Sequence, residues 1–319
     1  MIRYTLKRIV LMFVTLFIIL TLCYILIQLT TSFEKRVTVY RMSDPKLTQE
    51  DAEAYGRAHG WDDPIPVKYF NWLKGIIKGD WGVSVVKEVG QNPWVILTRF
   101  IPFTMSINIW SLIISVPLGF LFGIIAALRK NKPLDYLISF FVIIFISVPS
   151  FVFVTFLMIN ATSMGLPIQF RAADQANWKD YVIPIMALSF GPIATLTRYT
   201  RAELTEVLTS EYLLLARTKG LNKFQATVRH ALRNSMVPLV PLIIGNFISI
   251  MFGSLVIERI YGVKGVGGIL LEAISETNPD HDLAMAALAF YTIIGLATTL
   301  VVDLSYGIVD PRIRMGARK

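Results

Sequence analysis

Six long apolar runs limit what this chain can fold into: residues 9–29, 103–128, 134–159, 181–197, 236–257 and 283–309. A helix rises about 1.5 Å per residue and the hydrocarbon core of a bilayer is about 30 Å thick, so a span needs about 20 apolar residues. In lipid, a spanning segment must satisfy its own backbone polar groups, which makes each run a helix. The pattern predicts an all-α membrane protein with six transmembrane helices. The fourth run is the shortest, at 17 residues, and carries Pro184, Gly191 and Pro192. Neighbouring helices can satisfy the backbone groups that a proline frees. The first run is long for a signal peptide, and Gln28-Leu29-Thr30-Thr31-Ser32 offers no small-residue cleavage site, so an uncleaved first span is expected.

Composition agrees, since 54% hydrophobic and 17% charged residues are too apolar for a water-facing surface. The single cysteine, Cys23, lies in the first run and excludes an intramolecular disulfide. His59, His230 and His281 fall in separate segments without metal-ligand spacing, so no metal site and no cofactor are expected in this chain.

A net charge of +9 raises the question of a nucleic-acid partner, and the placement of the 31 lysines and arginines answers it. With the N-terminus inside, 17 of them fall on inner segments, around Arg3–Arg8, Arg129–Lys132, Arg198–Arg233 and Arg312–Lys319. The short outer loops hold only Arg171, Lys179, Arg259 and Lys264. Cytosolic loops retain Lys and Arg, so both termini are expected in the cytosol and the charge mostly reports topology. The remaining 10 share residues 30–102 with nine acids, a length that largely escapes this rule.

Three regions follow: residues 1–29, an N-terminal segment and first span; residues 30–102, an extracytoplasmic loop domain; and residues 103–319, a core of five spans with an inner loop at about 198–235. In the outer region, Thr48 with Asp51 reads as a capping box, Gly60 as a helix stop, and Tyr69-Phe70-Asn71-Trp72-Leu73 as an amphipathic stretch along the membrane surface. In the inner loop, the helical period runs past the fourth span through Leu204, Val207 and Leu208, with Arg198, Arg201, Glu203 and Glu206 solvated around it. Thr209 or Ser210 can cap a short helix from Glu211 to Lys219 that Gly220 ends in a left-handed turn, with Leu221 packing back. Asn222 and Gln225 start another helix carrying Arg229, His230, Arg233 and Asn234 into the fifth span. Such a loop can lie on lipid, but Ala216 and Gly220, four apart, make a notch where another protein can approach closely.

No G-x-x-x-x-G-K-[ST], G-x-S-x-G, H-E-x-x-H or C-x-x-C occurs, so phosphate cradling and hydrolytic chemistry by those devices are excluded. Asp303 is the one acid well inside an apolar run, either a structural ion-pair partner or a proton site of an ion-coupled secondary transporter. Asn108, Asn160 and Asn246 either line a water-filled path or bond helix to helix.

The segment Glu211-Tyr212-Leu213-Leu214-Leu215-Ala216-Arg217-Thr218-Lys219-Gly220-Leu221, with His230-Ala231-Leu232-Arg233-Asn234 and Pro238, resembles the coupling loop of binding-protein-dependent ABC importer permeases. Gly60-Trp61-Asp62-Asp63-Pro64, Gly79-Asp80-Trp81-Gly82-Val83-Ser84, Pro117-Leu118-Gly119, Ser147-Val148-Pro149-Ser150-Phe151 and Asp310-Pro311-Arg312 extend the likeness to the dipeptide, oligopeptide and nickel group. The Glu-Ala-Ala triplet is replaced by Leu214-Leu215-Ala216, and Val263-Lys264-Gly265-Val266-Gly267 stands where Trp-Pro-Gly-Leu-Gly is common. The resemblance implies a type I importer permease fold and half of a translocation pathway for oligopeptides or dipeptides, with nickel chelate, glutathione or haem as alternatives. It also implies a second permease, an extracytoplasmic binding protein, and two ATPase subunits that hold ATP and Mg and dock on Glu211, Tyr212, Leu215, Ala216, Arg217, Lys219, Gly220 and Leu221.

Overall fold

The computed structural model describes residues 2–171, 175–218, 220, 222, 225, 227–232, 235 and 238–309. The chain divides into two compact units, one of Arg8–Thr104 with Val263–Leu296, the other of Met1–Lys7, Met105–Gly262 and Ala297–Lys319. The helices are α1 (Ile2–Leu29), α2 (Phe33–Ser43), α3 (Gln49–Ala58), α4 (Ile65–Ile77), α5 (Pro93–Leu128), α6 (Pro133–Ser147), α7 (Ser150–Ile159), α8 (Trp178–Leu208), α9 (Glu211–Thr218), α10 (Leu239–Tyr261), α11 (Val266–Ala273) and α12 (His281–Val309). Among the described residues, five helices are long and apolar enough to cross a membrane, and α6 with α7, counted together as one bent segment, brings the number to six.

In the first unit, local sequence chemistry sets the helix ends. Ser32 caps α2 by accepting the Lys35 N–H at 3.2 Å, and Thr48 and Asp51 form the expected capping box on α3. Gly60 closes α3 at φ +66° while the Trp61 N–H reaches the Gly56 carbonyl at 2.9 Å and the Gly60 N–H reaches Arg57 at 3.0 Å. That pair of bonds is a Schellman stop, available because glycine adopts the left-handed region without strain. Val37, Tyr40, Ala52, Trp61 and Val85 form the core beneath these helices. α4 meets α1 through Tyr69, whose hydroxyl lies 2.7 Å from the Thr21 hydroxyl, and through Trp72 against Tyr24 at 4.7 Å. Its other face leaves Val67, Phe70 and Ile77 exposed, as expected of a helix lying at an interface.

The Gly79–Ser84 stretch is held by two acids at the start of α12. Asp280 accepts from the Ser84 hydroxyl and the Val85 and Val86 N–H groups, and Asp282 accepts from the Val83 N–H. Gly82 sits at φ +80° directly against the Asp282 carboxylate, where a Cβ would collide. The glycine follows from both the dihedral and the close approach.

In the second unit, α8 is the central helix, packed by α6, α7 and α10. It runs unbroken for 31 residues through Pro184 and Pro192, so the shortest of the apolar runs is part of a helix that continues well past it. α5 crosses α8 at Gly119 and Gly123, whose Cβ atoms, if present, would lie 2.6 Å from the Leu196 side chain and 2.5 Å from that of Thr200. Small residues four apart let two helix backbones approach in lipid, where packing replaces the hydrophobic effect as the cohesive force. Serine hydroxyls bond across the same seam, Ser189 to the Ser111 carbonyl and Ser111 to the Ile185 carbonyl, both at 3.3 Å.

The third apolar run does not form one straight helix, as its composition suggested. α6 and α7 are bent by 101° at Val148-Pro149. Proline offers no N–H and its ring pushes the preceding residue out of helical space. Val148 accordingly sits at φ −95°, ψ 122°, and Pro149 becomes the cap of α7, its carbonyl accepting the Val152 N–H at 3.0 Å.

Candidate functional site

Two features of the second unit carry the functional reading, the inner loop after α8 and the cavity at the α6–α7 break. The loop begins where α8 ends. Thr209 and Ser210 do not cap α9 with their hydroxyls as expected. The Thr209 hydroxyl donates back to Glu206 at 2.9 Å and that of Ser210 to Val207 at 2.6 Å, closing the end of α8. Late carbonyls of a helix lack partners, and a hydroxyl three residues on can satisfy them. The first turn of α9 is instead held by the Ser210 carbonyl, which accepts from Leu213 and Leu214.

α9 ends at Thr218, and Gly220 follows at φ +96°, the left-handed turn the sequence predicts. Asn222 and Gln225 then cap each other reciprocally, with the Gln225 N–H on Asn222 Oδ1 at 2.8 Å and the Asn222 N–H on Gln225 Oε1 at 3.3 Å. Beyond them, Thr227–Leu232 forms a π-helical turn. Leu213 and Ala231, from the two arms of the loop, are buried with Ala127 of α5 and Leu204 of α8. The loop is therefore clamped to the ends of two spans by apolar contacts, while Glu211, Leu214, Leu215, Thr218 and Gly220 are exposed. Two adjacent leucines more than half exposed on an anchored helix mark a face meant to be covered. Tyr212, Ala216, Arg217 and His230 lie on described backbone, but their side chains are outside the described residues, as are Lys219, Leu221, Arg233 and Asn234 altogether.

The helical pattern suggested a freely solvated Arg201, but its side chain is paired and only one-third exposed. It donates from Nε and Nη2 to the two oxygens of Asp135 at 2.6 and 2.8 Å, and Asp135 is 1% exposed. Asp135 also accepts the N–H of Asn131, a residue held at φ +61°. The start of α6 is thereby fixed to α8 just before the inner loop.

The second feature is a cavity of about 260 Å³ between the α6–α7 break, α8 and α10. Pro149, Ser150, Gly191, Thr195, Asn246 and Ser249 contribute to its lining. Backbone that leaves helical geometry at membrane depth is tolerated where it borders protein or a water-filled space, which places the break and the cavity together for one reason. Asn246 Nδ2 is buried without a partner among the described residues. Of the other polar candidates, Asn108 is fully buried in α5, and Asn160 stands at the exposed end of α7, donating to the Phe156 carbonyl at 2.8 Å. Asn160 is thus a helix-end residue and not part of the cavity. Asp303 lies on α12 and is half-buried.

Residues 119–315 match the family described as the binding-protein-dependent transport system inner membrane component, and residues 1–116 match the N-terminal membrane component of the same systems. The chain is 35% identical over 318 residues to the dipeptide transport system permease protein DppB of Bacillus subtilis, covering 99% of each chain. It is 34% identical over 316 residues to DppB of Lactococcus lactis subsp. cremoris, covering 99% of this chain and 100% of the relative. With the glutathione transport system permease protein GsiC of Escherichia coli it shares 28% identity over 317 residues, 98% of this chain and 99% of the relative. Among solved structures, an inward-facing conformation of the MetNI methionine ABC transporter superposes with a TM-score of 0.56 at 17% identity, over 67% of this chain and 96% of that one. An amino acid ABC transporter superposes with a TM-score of 0.54 at 14% identity, over 66% and 92%. At those identities the likeness establishes the fold, that of type I importer permeases.

Proposed function

Because the chain belongs to the family of binding-protein-dependent transport system inner membrane components, we propose that α9 and the turn at Gly220 are where an ATPase subunit docks on it. The chain is a permease of an ABC importer in the dipeptide and oligopeptide group, with peptide as its cargo. It pairs with a second permease to enclose the pathway, receives substrate from an extracytoplasmic binding protein, and works with two ATPase subunits that bind ATP and Mg. This chain itself holds no cofactor and catalyses no reaction. Both termini lie in the cytosol of a bacterial cell, on the side where Lys and Arg accumulate.

The observation that carries this reading is the anchoring of α9. Leu213 ties the helix to Ala127 and Leu204 while Leu214 and Leu215 face outward. An ATPase seated on the outward face moves the ends of α5 and α8 when it closes, because well-packed contacts shift as bodies and do not stretch. Motion of α8 then reaches the cavity lined by Gly191, Thr195 and Asn246.

The test is Gly220→Trp. A Cβ there meets no described atom within 4 Å, but φ +96° strains any L side chain, and the bulk would stand on the docking face. Dipeptide uptake is expected to be lost while membrane insertion and permease pairing persist. Normal uptake by this variant removes the docking assignment. Glutathione taken up in preference to dipeptides would move the cargo to that of the more distant relative.

A further inference from the structure

The unit formed by Arg8–Thr104 and Val263–Leu296 contains a cavity of its own, about 340 Å³, between α1, α2, α4, the Gly79–Ser84 stretch and the start of α12. Its walls combine three aromatic side chains, Tyr24, Trp61 and Trp72, with charges of both signs, Arg36 and Lys68 against Asp63, Asp80 and Asp282. Charged side chains are seldom buried unless paired, and these surround open space.

The polar groups divide into those that are occupied and those that are not. Asp282 accepts from Arg36 Nη2 and from the Val83 N–H, both at 3.2 Å, and Asp80 accepts from the Gly82 N–H at 3.0 Å. Among the described residues, Lys68 Nζ has only a neutral acceptor, the Trp61 carbonyl at 3.2 Å. Arg36 lies 4.4 Å over the Trp61 ring, and its Nε, like Trp72 Nε1, is buried with no acceptor among the described residues. Asp63 accepts no hydrogen bond among the described residues, although it faces the same cavity. The site therefore has an excess of N–H donors, two of them cationic, and a separate uncommitted carboxylate. Buried donors without acceptors are unfavourable, and a carboxylate is the acceptor that Arg, Lys and an indole N–H satisfy together.

We infer that this cavity binds a short peptide as a zwitterion, its terminal carboxylate received by Arg36, Lys68 and Trp72 and its terminal ammonium by Asp63. The aromatic walls accept an apolar side chain, and the volume is that of a small-molecule site. An acidic side chain of a docking protein shares the carboxylate chemistry, but it supplies no ammonium for Asp63 and fills only part of the space. The inference rests on the peptide-importer reading and adds to it a site on this subunit outside the α6–α7 cavity, on the outer side if the N-terminus is cytosolic.

The full chain, purified in lipid nanodiscs without receptor or ATPases, is titrated calorimetrically with Ala-Phe, Ala-Phe amide and N-acetyl-Ala-Phe. Ala-Phe is expected to bind, and each blocked peptide to bind about tenfold more weakly, the loss expected for one charge-assisted contact. Lys68→Gln is expected to weaken Ala-Phe about tenfold and leave the amide unchanged, and Asp63→Asn to weaken Ala-Phe and leave the acetylated peptide unchanged. Both side chains are only partly buried, so neither substitution threatens folding, whereas Arg36 also supports Asp282 and is left intact. Equal binding of the three peptides, no heat with Ala-Phe at millimolar concentration, or unchanged affinity in Lys68→Gln overturns the site. Uptake by the assembled importer separates the two claims. Ala-Phe uptake without binding to this chain defeats the site and spares the transport reading, and binding without uptake of any peptide does the reverse.

Discussion

Arg201 grips Asp135 with two charge-assisted hydrogen bonds, at 2.6 and 2.8 Å, joining α8 to the start of α6 across 66 residues of sequence. Asp135 is 1% exposed and Arg201 one-third exposed, so the acid depends on this partner more than the base does. Removing one member of a buried pair leaves an uncompensated charge, which costs about 3–5 kcal/mol, and solvent access on the arginine side reduces this to about 2–3 kcal/mol. Arg201→Ala is expected to lower the melting temperature of the detergent-solubilised chain clearly, and Arg201→Lys to recover part of the loss, since an ammonium cannot make the fork. Equal melting temperatures for wild type and Arg201→Ala would show that the pair is ornamental.

The α5–α8 seam makes a sharper steric prediction. A methyl at Gly123 meets Thr200 Cβ at 2.5 Å and the Thr197 carbonyl at 2.9 Å, and the second contact is backbone that cannot swing aside. Overpacking of this kind costs about 1–3 kcal/mol. Gly123→Ala should therefore destabilise the chain, whereas Gly245→Ala, where a Cβ meets no described atom within 4 Å, should not. Thermal unfolding of the two variants side by side decides it, and indistinguishable curves would mean that α5 and α8 are not this close.

At Asn246 stability and function are expected to part. Its buried Nδ2 has no partner among the described residues, so Asn246→Leu removes an unsatisfied donor and should leave stability unchanged or raise it by up to about 1 kcal/mol. The same change makes the cavity at the helix break greasier and should slow peptide uptake at least severalfold. A variant that transports normally would detach this cavity from the pathway.

Much of this architecture is legible in the sequence because it depends on short-range rules. The apolar runs, the Thr48–Asp51 box, the Gly60 and Gly220 turns and the Asn222–Gln225 cap are all set within a few residues. The α6–α7 bend is also written locally, in Val148-Pro149, but hydropathy counts apolar residues and is blind to a proline's effect on its predecessor. Gly119 and Gly123 carry a small-residue spacing that is visible once the partner helix is known. The Asp135–Arg201 pair and the donor-rich cavity around Arg36, Lys68 and Trp72 are another matter. They join residues far apart in sequence, and no periodicity announces them. The hydroxyls of Thr209 and Ser210 show the remaining difficulty, since one residue can cap the next helix or close the last, and only packing chooses.

The Lys68 environment gives a prediction in pH. Burial is the main cause that lowers its ammonium below the ordinary lysine value, Arg36 adds to it, and Asp63 and Asp62 oppose it without cancelling it. His59 and the acids Asp80 and Asp282 line the same cavity. A lysine whose folded-state value is lowered destabilises the fold while both states are protonated. That penalty is fully present below the folded-state value and is relieved as pH rises through it toward the ordinary 10.5. Lys68→Gln never carries the penalty. The melting temperature of wild type minus that of Lys68→Gln should therefore increase with pH across the alkaline range below 10.5. A difference that stays flat, or falls, would mean that Lys68 is solvated like a surface lysine and that the cavity does not hold its charge.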